Sequence, residues 1–274
     1  PLDGVIVFEK VLCSKCAPPG QKTERDKIPK SNEASPSTIA PDCCLWASKH
    51  PELREACAKN SICVQKPPYK FKYSHFESIM QVGPTCGLVA ISMLVNGQVN
   101  PSEILSLAKE EGYTCNGEMF SCKNMVKLAE KIFNLANMSN VSCKLKGGNL
   151  FCEDTIDSLL KGAVLLVPYD ADCNHSPCLR KGHTAHWAIV CGVIIVDEPD
   201  DLNNCDPKNV RVLCKHGKSK YLAVWNLADI EKSNKNLLEF SPKKGTDGLT
   251  YILPHGGLGG EDGLRDQFLM IEGL

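Results

Sequence analysis

Gln81-Val-Gly-Pro-Thr-Cys86-Gly-Leu-Val-Ala-Ile-Ser-Met-Leu-Val95 reads as a tight turn followed at once by an apolar helix. Gly83-Pro84 supplies the turn, and Asn96-Gly97 supplies the stop. Cys86 then falls at the helix N-terminus, where unpaired backbone N–H groups and the positive end of the helix dipole favour an anion. A cysteine attacks as its thiolate, so the position suits a nucleophile whose pKa must be lowered. The backbone N–H of Cys86 and the side-chain amide of Gln81 are candidate donors to a developing oxyanion. The competing structural reading is a buried cysteine that merely opens a core helix. The Gln, the Gly-Pro turn and the Cys-Gly pair together favour chemistry.

Outward from this segment the front half is helical. Asn100 can cap a helix over 102–111 with Pro101 at its first position. Ser121 can cap another, in which Met125, Leu128, Ala129, Ile132 and Leu135 recur at helical spacing. The back half changes to short β-branched and aromatic runs, at 163–169, 186–196 and 221–225, which predict strands. The acidic stretch 197–206 between the last two predicts a loop inserted in a strand pair. The expected class is α+β: a helical lobe carrying Cys86, followed by an antiparallel sheet lobe carrying His186. Toward the N-terminus, 17–42 is polar and rich in breakers, 44–57 could form a short helix, and Lys66-Pro67-Pro68 interrupts the chain. Residues 1–70 are thus expected to be a partly disordered extension, and residues 71–274 the compact domain.

Of the seven histidines, His186 is best placed to act as base, at the start of a strand and followed by Trp187. Asn226 closes the run Tyr221-Leu-Ala-Val-Trp-Asn226, where its amide oxygen could accept the imidazole N–H and fix the ring. Asp197 competes for that role.

A formal net charge of -1 gives no basic field, so neither nucleic acid nor an anionic membrane is an expected partner. Sixteen cysteines would suit either a disulfide scaffold or a reduced protein. Several sit inside apolar runs, as Cys191 does, and no signal-like segment opens Pro1-Leu2-Asp3-Gly4. The expectation is a reduced, cytoplasmic chain. Cys13-x-x-Cys16 has only half of a zinc-ribbon spacing, and the cluster Cys173, His175, Cys178, His183, His186 lacks a His-Glu-x-x-His arrangement. No metal or other cofactor is expected.

Several segments in one order carry a family resemblance: Gln81-x-Gly-Pro-x-Cys86-Gly-Leu-Val-Ala90, Gly112-Tyr-Thr-x-x-Gly-Glu-Met-Phe-Ser121, Pro168-Tyr-Asp170 with Asn174-His175, Lys181-Gly-His-x-Ala-His-Trp187, and Phe240-Ser-Pro242 with Thr246-Asp-Gly248. From about Phe71 to Gly257 the chain resembles the actin maturation protease family. The resemblance implies a papain-like fold and a cysteine aminopeptidase that removes the acetylated N-terminal Cys or Met of immature actin. It makes Cys86 the nucleophile, His186 the base and Gln81 an oxyanion donor one residue closer to the cysteine than in the common papain-like spacing. Trp225-Asn226 stands where relatives have Trp-Asp. A capped, acidic substrate needs cations rather than a site for a terminal ammonium. Candidates are Arg180 and Lys181, then Lys218 and Lys220 in the stretch 215–220, and the pair Lys243-Lys244. The rival readings are a non-catalytic actin-binding module and an acyl transferase using the same residues.

Overall fold

A computed structural model describes residues 44–62, 67–199 and 206–274. The linker expected at 17–42 and the Cys13-x-x-Cys16 pair lie outside these residues.

In chain order the helices are α1 (Pro51–Lys59), α2 (Cys86–Leu94), α3 (Pro101–Glu110), α4 (Cys122–Leu135), α5 (Glu153–Leu160) and α6 (Leu227–Lys235). The strands are β1 (Lys70–Tyr73), β2 (Ser142–Gly147), β3 (Val164–Asp170), β4 (Ala185–Ile195), β5 (Val210–His216), β6 (Ser219–Asn226) and β7 (Gln267–Glu272). Local chemistry sets several boundaries. α2 stops where Gly97 N–H returns to Ser92 O at 2.8 Å. α3 opens with a reciprocal cap: Asn100 Oδ1 accepts from the N–H groups of Ser102 and Glu103, and Glu103 accepts from Asn100 N–H. Ser121 Oγ accepts from Asn124 N–H at the start of α4. Met125, Leu128, Ala129 and Ile132 of that helix are buried, whereas Leu135, at its last position, is exposed.

The strands form one antiparallel sheet in the order β2-β7-β3-β4-β5-β6, with β1 beside the C-terminal half of β4. The mixture of helices with an antiparallel sheet is that of an α+β fold. The sheet is not, however, a lobe apart from the helices. On one face, Leu88 and Ile91 of α2 share a core with Ile189, Cys191, Leu213 and Leu269. On the other, Ile156 and Leu159 of α5 and Leu227 and Ile230 of α6 pack on Leu165, Val190 and Val212. Helices on both faces explain why β3 and almost all of β4 are buried and read as unbroken apolar runs.

Two placements differ from the sequence reading. Leu53, Ala56 and Cys57 of α1 belong to the same core as α2, so packed structure begins ahead of residue 71. A strand the sequence reading lacks, β5, lies between β4 and β6. It was hidden by Lys215, whose side chain is almost wholly buried because its Nζ meets Glu52 Oε2 of α1 at 2.6 Å and Ser78 Oγ at 2.9 Å. Among the described residues, no helix is long and apolar enough to cross a membrane.

Candidate active site

Thr85 precedes α2 without a side-chain cap for the first N–H groups; its hydroxyl donates instead to Val82 O at 3.0 Å. Cys86 is therefore the first helical residue, and it lines a cleft of about 330 Å³. His186, second residue of β4, lines the same cleft, as do Gln81 and Lys218. The two elements meet through the next residues along. A Cβ on Gly87 would fall 2.8 Å from Met125 Cε, the mobile end of its side chain, and 3.1 Å from Trp187 Cδ1, so a side chain here would crowd the Trp187 ring where α2 meets β4. The backbone N–H groups of Trp187 and Gly87 lie near the Cys86 sulfur and favour its charged form.

The electrostatics differ from the sequence expectation. Burial pushes the Cys86 thiol above its ordinary range, outweighing those backbone donors and the nearby Lys244 cation. Burial likewise lowers the His186 pKa to about 3, helped by the neighbouring His216, His175 and Lys218. The resting site therefore holds a neutral thiol and a neutral imidazole rather than a preformed thiolate.

His186 sits in a nest of rings. Its centroid lies 5.7 Å from that of Tyr169, 5.8 Å from that of His216 and 6.2 Å from that of His175. His216 is itself stacked on Trp225 at 5.7 Å, and burial lowers its pKa to about 4. His186 Nε2 and His216 Nδ1 are both buried without a hydrogen-bond partner.

Asn226 does not join this group. β4 leads away from His186 and β5 returns to it, so the strand end beside His186 is His216. β6 then leads away again: Asn226 lies opposite Arg211, which lies opposite Ile194 at the far end of β4. Its amide donates to Asp229 at 3.2 Å. Asp197 follows β4 at that same far end. Neither side chain is placed to orient His186; packed rings surround it instead.

Gln81 is held by its own N–H on Gly217 O at 2.8 Å, and its side-chain amide donates to Gly83 O at 2.7 Å. Of the expected cations, Lys218 and Lys244 line the cleft. Arg180 pairs with Asp172 and Lys181 with Glu239, while Lys220 lies over the Tyr221 ring. Glu118, Phe120, Phe240 and Ser241 also line the cleft without having been read as site residues. All four fall in segments that carry the family resemblance, which was their only signal. Among the described residues, no group of three or more His, Cys, Asp or Glu is arranged to hold a metal ion. Cys86, Cys122, Cys191 and Cys214 carry free, buried thiols.

These features define a class: a mixed α/β domain whose cleft joins a thiol at a helix N-terminus to an imidazole on a neighbouring strand. The chain belongs to the actin maturation protease family. The family model described as actin maturation protease-like, C-terminal domain, matches residues 76–194, which include both Cys86 and His186. The actin maturation protease of Drosophila melanogaster is 41% identical over 236 residues, spanning 86% of this chain and 84% of the relative. That of Danio rerio is 34% identical over 72% of this chain and 73% of the relative. The Homo sapiens protein is 34% identical over 71% of this chain and 63% of the relative.

Proposed function

We propose that this chain is a papain-like cysteine aminopeptidase, acting in the cytoplasm, that removes the acetylated first residue, Cys or Met, from immature actin. The observation that carries the reading is that Cys86, the first residue of α2, and His186 of β4 line one cleft. In this mechanism Sγ bonds to the carbonyl carbon of the acylated first residue as its proton passes to the His186 imidazole. The Cys86 N–H and the Gln81 amide are the donors available to the oxyanion. The C–N bond then breaks, the proton moves to the departing amine, and shortened actin leaves. Water, deprotonated by the same imidazole, hydrolyses the thioester and releases the acylated amino acid. The names of the relatives support actin as the substrate, and Lys244, paired with Glu118 in the cleft, counters the carboxylate that acts on the sulfur and so favours a capped first residue over a terminal ammonium.

Mass spectrometry of actin N-termini tests this directly. Incubation of acetylated, immature actin with the wild-type chain is expected to remove one acylated residue, and Cys86→Ala is expected to leave it in place. An acetylated residue retained in both incubations would refute the proposal.

A further inference from the structure

Glu118 is 7% exposed and lines the cleft that holds Cys86. Its Oε1 accepts from Lys244 Nζ at 3.1 Å, whereas Oε2 is buried with no partner. A buried carboxylate oxygen left without a donor is costly, and the residue that carries it is one of those lining the cleft.

The segment carrying it is pinned to both halves of the site. A Cβ on Gly117, whose φ is +119°, would fall 2.7 Å from Thr85 Cγ2, so this loop lies directly on the residue before Cys86. Gly117 N–H is held by Thr114 Oγ1 at 2.8 Å. On the other side, the Trp187 indole N–H donates to Met119 O at 3.0 Å, tying the loop to the residue after His186. Glu118 is thus registered against the thiol and the imidazole together. Lys244, held over the Phe120 and Tyr251 rings at 5.3 and 5.2 Å, neutralises its charge. The remaining capacity is a single unpartnered acceptor on a residue that lines the cleft together with Phe120 and Phe240, whose rings pack edge to face. That combination suits a neutral N–H donor beside an apolar group.

We propose that Glu118 Oε2 accepts the amide N–H of the substrate's acylated first residue, with the acyl group against Phe120 and Phe240, and so sets the position of the bond to be cut. This rests on the peptidase reading above and deepens it by naming what recognises the cap. Glu118 takes no part in bond making; it is a specificity-determining residue. Its charge is already countered, so it selects an amide over an ammonium.

The test pairs a chemical change in the substrate with one in the protein. Two acidic peptides are compared, one with an ordinary acetylated first residue and one methylated at that residue's amide nitrogen, which removes the single N–H. The wild-type chain is expected to lose about 10- to 100-fold in kcat/KM on methylation, the range for a hydrogen bond to a charged group. Glu118→Gln places an N–H donor where Oε2 stood. It is expected to cut the ordinary peptide about 10- to 100-fold more slowly and to show a methylation penalty of no more than about threefold. Lys244→Met, which keeps Glu118 but leaves its charge uncountered, is expected to shift the preference about tenfold from the acetylated peptide toward the free-amine form. Thermal midpoints check that each variant is folded, and Lys244→Met carries the test should Glu118→Gln not fold. The inference is overturned if Glu118→Gln keeps the full methylation penalty, or if Lys244→Met leaves the amide-to-amine preference unchanged. If the wild-type chain cuts neither acetylated peptide, the peptidase reading itself falls, a result distinct from cleavage without coupling.

Discussion

Acidification should destabilise this protein through two histidines of the candidate site. His186 and His216 are both buried and lie 5.8 Å apart, and burial lowers their pKa values to about 3 and about 4. In the unfolded chain both would titrate near 6.5. Between those values the unfolded state binds more protons than the folded one, so stability is full above pH 6.5 and falls as pH drops toward 4 and then 3. Going from pH 7 to pH 5, each ring contributes a loss of about 2 kcal/mol, or ~4 kcal/mol together. That is a large part of an ordinary domain's 5–15 kcal/mol. His75 works the other way, since its hydrogen bonds with Glu77 and Glu52 raise its pKa, but it is about half exposed and offsets little. Urea unfolding at pH 7, 6 and 5 measures the fall, and His216→Gln removes one titrating ring while keeping a polar side chain. The variant's loss between pH 7 and 5 should be about half the wild-type loss. Equal losses in the two proteins, to within ~0.5 kcal/mol, would sink the claim that these rings are buried and neutral.

Because burial raises the Cys86 thiol, the rate of inactivation by iodoacetamide should keep climbing through pH 9; a plateau from pH 6 upward would reveal a preformed thiolate instead. Glu52→Ala strands Lys215 in the core and should cost about 3–5 kcal/mol of unfolding free energy. Glu52→Ala with Lys215→Met should recover most of that loss, as read from denaturant midpoints. Lys218→Glu should slow cleavage of an acidic peptide several-fold at low salt, and less at high salt, whereas Arg180→Glu and Lys181→Glu, at residues already paired with Asp172 and Glu239, should change it less than twofold. Gly87→Ala should depress kcat more than Tm, because its Cβ would push on Trp187 beside the proposed catalytic pair.

What the sequence revealed and what it hid divide along the range of the interactions involved. The α2 start, the Asn100 cap of α3 and the Ser121 cap of α4 rest on residues within one turn of each other, and each was legible. β3 and β4 were legible because burial on both faces leaves an unbroken apolar run. β5 was not, because Lys215 and His216 read as the start of a charged loop, and Lys215 is admitted to the core by Glu52 and Ser78, both far away in the chain. Missing one strand of an antiparallel sheet reverses the direction of every strand after it. That single omission made Asn226 look like a neighbour of His186, although it lies at the other end of the sheet. Glu118 was invisible for a related reason: its importance comes from contacts of its loop with Thr85 and Trp187, which no local pattern encodes.

The same burial that stabilises the site also dictates when its chemistry can begin. With the thiol raised and the imidazole lowered, moving the proton from sulfur to ring is uphill in the empty cleft. An acidic side chain from solvent would ease that transfer by stabilising an imidazolium, but the nest around His186 consists of rings and a cation, Lys218, which opposes it. The charge separation must therefore be offset on the sulfur side, where the Trp187 and Gly87 N–H groups and Lys244 are gathered. An acidic substrate seated against Lys218 would also remove part of the opposition at His186. Under the proposed function, negative charges on the substrate would help to ready His186 as the base, which would tie the rate of the chemical step, and not binding alone, to an acidic N-terminal segment.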